Sequence, residues 1–181
     1  MLLITRPIEQ TKNLESLLLA NEIDYAFFPT FEIKKVKPIV SKQTYEVIIF
    51  ISVNAVEYAE EYFDKLFNTS IKIFAVGPVT ANRLLRKNIK VDCYPNKKAS
   101  SKELLKMREC QSLSNKKILI VRGKGGSETL KNNLSISNQV DYFEVYERVQ
   151  CELTIQHNES FDKFKKIPDG VLMATSEESL K

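Results

Sequence analysis

The 181-residue chain reads as an α/β protein with two parallel-sheet domains, one of them discontinuous and truncated. Three observations predict this. Short apolar runs of strand length alternate with stretches of helical periodicity almost from end to end, the pattern of parallel sheets with crossover helices. The chain also begins to repeat itself. Leu3-Ile4-Thr5-Arg6, a helical stretch and Asp24-Tyr25 are matched by Leu119-Ile120-Val121-Arg122, a helical stretch and Asp141-Tyr142. Likewise Phe50-Ile51-Ser52-Val53-Asn54-Ala55-Val56 is matched by Ala174-Thr175-Ser176-Glu177-Glu178-Ser179-Leu180. Third, two segments near 31–38 and 146–154 alternate apolar and polar residues, so each buries one face only and reads as a crossing between domains. They enclose a continuous domain over 35–151 and leave 1–34 with 152–181 to form a discontinuous one.

The elements follow in order. Leu2 to Thr5 has the length of a strand, and Leu14, Leu17 and Leu18 then recur at helical spacing. Tyr25 to Phe28 is a second strand, stopped by Pro29. Val47 to Ile51 is apolar at every position, as in a strand buried on both faces of a parallel sheet. Val56, Ala59, Phe63 and Leu66 lie along one helix face. Ile71 to Val76 is another buried strand, and Pro78 suits the first turn of the next helix, where its missing N–H costs nothing. Val91 to Tyr94 reads as a short strand. Ser100-Ser101 before Glu103 and Leu104-Leu105 reads as a capped helix start. Ile118 to Val121 and Val140 to Tyr146 are further strands. Pro168-Asp169-Gly170 is a turn before the final strand, Val171 to Ala174.

Composition narrows the function classes. The net charge of +4 is mild and the cations are scattered among acidic residues, which argues against nucleic acid and suits an anionic small molecule. No apolar run approaches the ~20 residues of a membrane span. Met1-Leu2-Leu3-Ile4 reaches Arg6 too soon for a signal peptide. Cys93, Cys110 and Cys151 are odd in number and lack zinc-ligand spacing, so they read as reduced thiols of a cytoplasmic protein that needs no metal.

Ligands in parallel sheets bind beyond the carboxyl ends of the strands, where loops run into helices. Four places there bear on chemistry. Ser52 and Asn54 open a helix whose first N–H groups can bind an anion, though both residue types also serve as ordinary caps. Thr80, behind Gly77-Pro78, offers a hydroxyl with the same two readings. Arg122-Gly123-Lys124-Gly125-Gly126-Ser127 holds three of the five glycines and two cations. It matches neither a P-loop nor a dinucleotide fingerprint, and reads either as an anion cradle or as a flexible turn with solvated charges. Tyr146, at a strand end, offers a phenol that can donate a proton or simply pack. The single histidine, His157, sits in a polar run and reads as solvated, which discounts Ser–His and metal-centred chemistry.

Taken in order along the chain, these strings resemble the uroporphyrinogen-III synthase family. The residues that carry the resemblance are Leu3-Ile4-Thr5-Arg6-Pro7, Phe50 to Val56, Ala75-Val76-Gly77-Pro78-Val79-Thr80-Ala81, Ile118 to Gly126, Val145-Tyr146-Glu147-Arg148 and Leu172-Met173-Ala174-Thr175-Ser176. The resemblance implies two flavodoxin-like domains joined by a two-stranded ladder. It implies a lyase of tetrapyrrole biosynthesis that dehydrates and cyclises hydroxymethylbilane with inversion of the last pyrrole ring. No cofactor and no metal are implied, and a cytoplasmic monomer is expected. Loss of the substrate hydroxyl gives an azafulvene, which closes through a spiro intermediate, so catalysis is mainly positioning with a modest acid contribution. By the same resemblance Tyr146 would assist hydroxyl departure. Arg6, Ser52, Asn54, Thr80, Arg122, Gly123, Lys124 and Ser176 would bind the substrate carboxylates.

One departure stands out. A second Gly-Pro-x-Thr segment, expected after Ser176 as the other wall of the site, does not occur in the 181 residues. On this reading the chain is a fragment or a degenerate copy, with at most a trace of synthase activity expected. The alternative function is a non-catalytic α/β module that binds an anionic ligand or partner through the same loops. A flavodoxin-like receiver or cofactor carrier is disfavoured, because no acidic cluster or flavin-clamping aromatics are visible.

Overall fold

The structure, a computed structural model, describes residues 1–40, 43–67 and 70–175. It divides into two units, Met1–Lys34 with the segment from Arg148 onward, and Lys35–Glu147. In the first unit β1 (Leu2–Ile4), α1 (Lys12–Ala20) and β2 (Tyr25–Phe27) are followed, late in the chain, by a polar helix (Ile155–Lys165) and a last strand (Val171–Met173). The three strands are parallel, with β1 in the middle. Leu3 and Ile4 of that central strand are fully buried, while Val171 and Leu172 on the last strand are exposed.

The second unit is built on a five-stranded sheet. Its strands are β3 (Phe31–Lys35), β4 (Val47–Phe50), β5 (Lys72–Ala75), β6 (Lys117–Gly123) and β7 (Gln139–Gln150), in the order β3-β7-β6-β4-β5. β4 is parallel to β5 and β6, and β6 to β7. Where β3 meets β7, numbers rise from Thr30 to Val36 on one side as their hydrogen-bond partners fall from Cys151 to Val145, so this pair is antiparallel.

Alternation along the strands sends side chains to both faces. Val47, Ile49, Phe74, Ile118, Ile120 and Val140 pack with Leu104, Cys110, Leu113, Leu130 and Leu134. These come from α5 (Ser101–Leu105), α6 (Arg108–Gln111), α7 (Thr129–Leu134) and the loop that follows α6. Phe50 points the other way, edge-on to Phe63 and Phe67. Each fully buried aliphatic or aromatic side chain contributes roughly 1.5–3 kcal/mol, and β4 supplies four in a row.

Two local expectations are corrected, and one helix is added. The helix expected to run from Val56 to Leu66 is broken into α2 (Val53–Ala59), a 3-10 turn (Glu60–Tyr62) and α3 (Phe63–Leu66). The turn swings Tyr62 inward, against Phe143, and leaves Phe63 at the margin. Val91 to Tyr94 forms only an isolated bridge, Cys93 to Phe74, rather than a strand. Pro95 follows at once and has no N–H with which to continue a ladder. The polar run around His157, read as solvated, is largely exposed and forms a helix, here called α8 (Ile155–Lys165). Thr154 caps it: its hydroxyl accepts from the His157 N–H, and His157 Nδ1 accepts from the Thr154 N–H. α8 is polar almost all round, so periodicity gave no signal, and its anchor is Phe161 stacked on Phe28.

Candidate active site

The four parallel strands of the second unit end at one edge. Phe50 lies beside Ala75 and Val121, and Gly123 beside Tyr146, so the loops after β4, β5 and β6 emerge together with the far part of β7. The β6–β7 register slips between Arg122 and Gly123: Arg122 faces Glu144 and Gly123 faces Tyr146. This bulge re-aims Tyr146, as bulges near sites commonly do.

Ser52 is the N-cap of α2, in extended backbone, and its Oγ accepts the Ala55 N–H at 3.0 Å. The same Oγ lies 3.1 Å from Tyr146 Oη, and either hydroxyl has the geometry to donate. Tyr146 is 2% exposed. Its ring rests 5.8 Å from that of Tyr58. On another side it touches Gly123, where an added Cβ would collide with the ring. The glycine is therefore needed for close approach. Asn54 lies in the first turn of α2, half-buried.

After β5, Gly77 caps α4 (Pro78–Leu85) with Ala99 pressed against it, where a Cβ at 77 would clash. Thr80 is buried, and the residue that this first turn presents to solvent is Val79.

The glycine-rich loop after β6 differs from its sequence reading. Arg122 is 2% exposed and heavily engaged. Its Nε donates to the Gly123 carbonyl (3.0 Å) and its Nη1 forms an ion pair with Glu128 (3.0 Å). The guanidinium lies 4.4 Å from the centre of the Tyr142 ring, and the Tyr142 hydroxyl donates to Glu128 at 2.7 Å. Lys131 also lies over the Tyr142 ring. Gly125 and Gly126 have φ of 70° and 85°, which favours glycine, and a Cβ at 126 would press on the Arg122 guanidinium. Lys124, half exposed, pairs with Glu147 at 3.1 Å. Both cations of the loop thus have carboxylate partners. The Tyr142 and Arg122 contacts hold the Glu128 carboxyl below its usual range. Burial, and then the Glu128 bond, push the Tyr142 phenol up to about 12.

Arg6 belongs to the other unit, where its Nη2 donates to Gln10 and its Nε is buried without a partner. Ser176 lies outside the described residues. Sequence reasoning missed Glu128, Tyr142 and Tyr58. No local signal marks them, because their contacts with Arg122 and Tyr146 depend on the strand register and on how α2 packs. Burial pushes the Cys93 thiol up to about 12 and that of Cys110 to about 11, so neither is poised as a nucleophile. Among the described residues no group of three or more His, Cys, Asp or Glu could hold a metal ion. None of their helices is long and apolar enough to cross a membrane.

The fold and this edge define an α/β protein of two parallel-sheet units with a hydroxyl pair and a glycine-rich loop at strand ends. The family model for uroporphyrinogen-III synthase HemD matches residues 12–181, and the chain belongs to that family. A uroporphyrinogen-III synthase of Proteus mirabilis is 28% identical over 159 residues, covering 82% of this chain and 80% of the relative. One of Escherichia coli (strain K12) is 27% identical over 139 residues, 75% of this chain but 56% of the relative. Among solved structures, a mutant synthase of Thermus thermophilus superposes with a TM-score of 0.62 at 14% identity, covering 83% of this chain and 63% of that one. The Helicobacter pylori 26695 synthetase gives 0.56 at 16%, over 94% and 81%. At such identities the structural likeness shows the fold alone. The chain thus spans little more than half of the Escherichia relative and under two thirds of the Thermus chain.

Proposed function

We propose that this chain is a uroporphyrinogen-III synthase, converting hydroxymethylbilane to uroporphyrinogen III with inversion of the last pyrrole ring. Family membership supports the synthase over a non-catalytic anion-binding module. The observation that carries the reading to chemistry is the Ser52–Tyr146 hydroxyl pair at the strand-end edge. Tyr146 would assist departure of the substrate hydroxyl, which leaves as water as the pyrrole nitrogen pushes out electrons. The carboxylates would be held by the loops carrying Ser52, Asn54, Thr80, Gly123 and Lys124, with Arg6 and Ser176 as further contacts. Arg122 takes part by fixing its loop, since its Nε and Nη1 are already engaged by Glu128 and carbonyl oxygens. The protein works as a cytoplasmic monomer on a small-molecule substrate, without nucleic acid, metal or cofactor.

Spontaneous closure of hydroxymethylbilane proceeds without inversion and gives the I isomer, so the isomer ratio is the test. We expect no more than a trace of III isomer, in proportion to added protein. Product that is only I isomer at every protein concentration overturns the proposal.

A further inference from the structure

The hydroxyl pair has a direction, and burial sets it. Ser52 Oγ carries one proton and two lone pairs. One lone pair accepts the Ala55 N–H. Tyr146 Oη lies 3.1 Å away. If Ser52 donated to Tyr146, the phenol proton would have to find a partner elsewhere. Yet Tyr146 is 2% exposed, its ring is packed against Tyr58 and Gly123, and a buried donor without an acceptor is strongly disfavoured. If Tyr146 donates to the second lone pair of Ser52, both buried groups are satisfied. The serine proton is then left for the outside, and Ser52 is the half-exposed member of the pair.

We infer that Ser52, rather than Tyr146, is the hydroxyl that meets the substrate, and that Tyr146 supplies its proton from behind. The inference rests on the synthase reading above. In the step, the substrate C–O bond breaks and the departing oxygen takes the Ser52 Oγ proton, leaving as water. Ser52 takes the Tyr146 Oη proton at the same time, so no alkoxide forms and the charge rests on the phenolate. Once the spiro intermediate has rearranged, the carbon of the last pyrrole that makes the closing bond loses its proton, and the relay returns one proton to Tyr146 in the reverse sense. Hydrogen bonds aligned head to tail strengthen one another, which favours such a relay in a site of low dielectric. The Ala55 N–H at the head of the chain polarises Ser52 in the same direction. Tyr146 is then a positioning and proton-supplying residue, and Ser52 the catalytic one.

Two measurements test this. The C–O stretch of ring-labelled tyrosine, assigned to Tyr146 by its loss in Tyr146→Phe, reports whether the phenol donates or accepts. We expect the band of a donor in the protein without substrate, shifted in Ser52→Gly. The band of an acceptor overturns the direction. For the chemistry, III-isomer formation is compared in Ser52→Gly, Ser52→Thr, Tyr146→Phe and the double variant Ser52→Gly/Tyr146→Phe. Glycine is a tolerable N-cap, but Ser52→Gly also leaves the buried Tyr146 donor without its acceptor, so the thermal midpoint should fall in that variant and recover in the double variant, which removes the donor as well. We expect Ser52→Gly to lose at least as much kcat as Tyr146→Phe, the double variant to be no slower than Ser52→Gly, and Ser52→Thr to recover most of the rate. A near-normal kcat in Ser52→Gly, or losses that multiply in the double variant, overturn the relay. If the unaltered chain makes no III isomer, the synthase reading fails and takes the catalytic role with it. The vibrational band still decides the direction of the bond on its own.

Discussion

The loop after β4 holds an uncharged hydroxyl pair with one proton to spare, whereas the loop after β6 holds two cations that are each already paired. Both leave the same edge of the same sheet, and both run into a helix. The difference lies behind the loops. Ser52 is braced by a backbone N–H and a buried phenol, which leaves its outward face free. Arg122 is braced by Glu128 and the Tyr142 ring, which pairs its charge and engages its Nε and Nη1. Equal positions at a sheet edge therefore do not imply equal roles: on the reading proposed above, one loop reacts and the other holds a shape.

Removing the buried phenol should break the comparison most severely. Tyr146→Phe keeps the ring on Tyr58 and Gly123 and removes only the hydroxyl. III-isomer turnover is expected to fall about tenfold to a thousandfold, the lower part of the range for acid catalysis, with KM little changed. Unchanged turnover would reduce Tyr146 to packing. Next in size is Gly123→Ala, where the new methyl meets the Tyr146 ring. Overpacking of this kind costs about 1–3 kcal/mol. It should lower both the thermal midpoint and turnover, because the ring can relieve the clash only by moving away from Ser52. A variant as active and stable as the parent would show that the contact is not needed.

The fold was largely legible because its signals are long or repeated. β4 is apolar at every position, and the Ser52, Gly77 and Gly123 loops each follow a largely buried strand, so the sheet class and the one edge at which these loops gather could be read locally. What could not be read depends on register or on packing without periodicity. Whether Arg122 is free or paired turns on Tyr142, which lies beside Ile120 only because β6 and β7 align as they do. The site reading counted Arg122 and Lys124 as available charge, since the carboxylates that engage them, at 128 and 147, carry no motif. α8 escaped for the opposite reason: a Thr154 cap and one Phe161 stack hold a helix with no apolar stripe.

Arg122→Ala sharpens the contrast with a smaller effect. The lost ring stacking and hydrogen bonds should cost about 1–2 kcal/mol of stability. The KM for hydroxymethylbilane should change little, because the arginine serves the loop. A large rise in KM with an unchanged thermal midpoint would mean that Arg122 leaves Glu128 to bind a substrate carboxylate.

The smallest effect is a pH dependence confined to the β6 loop. The Glu128 carboxyl is held below its ordinary value of 4.5 by the Tyr142 hydroxyl bond and, after it, by Arg122. A carboxylate whose folded value is depressed binds protons more weakly folded than unfolded. Its contribution is therefore present above about pH 4.5 and fades as pH falls through the folded value. Tyr142 acts at the other end, its phenol raised from 10.0 to about 12 by burial and the same bond. Its contribution is intact below pH 10 and fades as pH rises towards 12. The loop should thus be held evenly through the neutral range. Glu128→Gln removes the charge but keeps an acceptor for Tyr142, so it should flatten the acid limb of stability while leaving the alkaline limb. Glu128 is half exposed, so the change should be small and should shrink further in high salt. Unfolding midpoints measured from pH 3 to 7 in both proteins would check it. An identical acid limb in Glu128→Gln would mean that the ion pair contributes nothing, and that the Tyr142 ring and the carbonyl bonds hold Arg122.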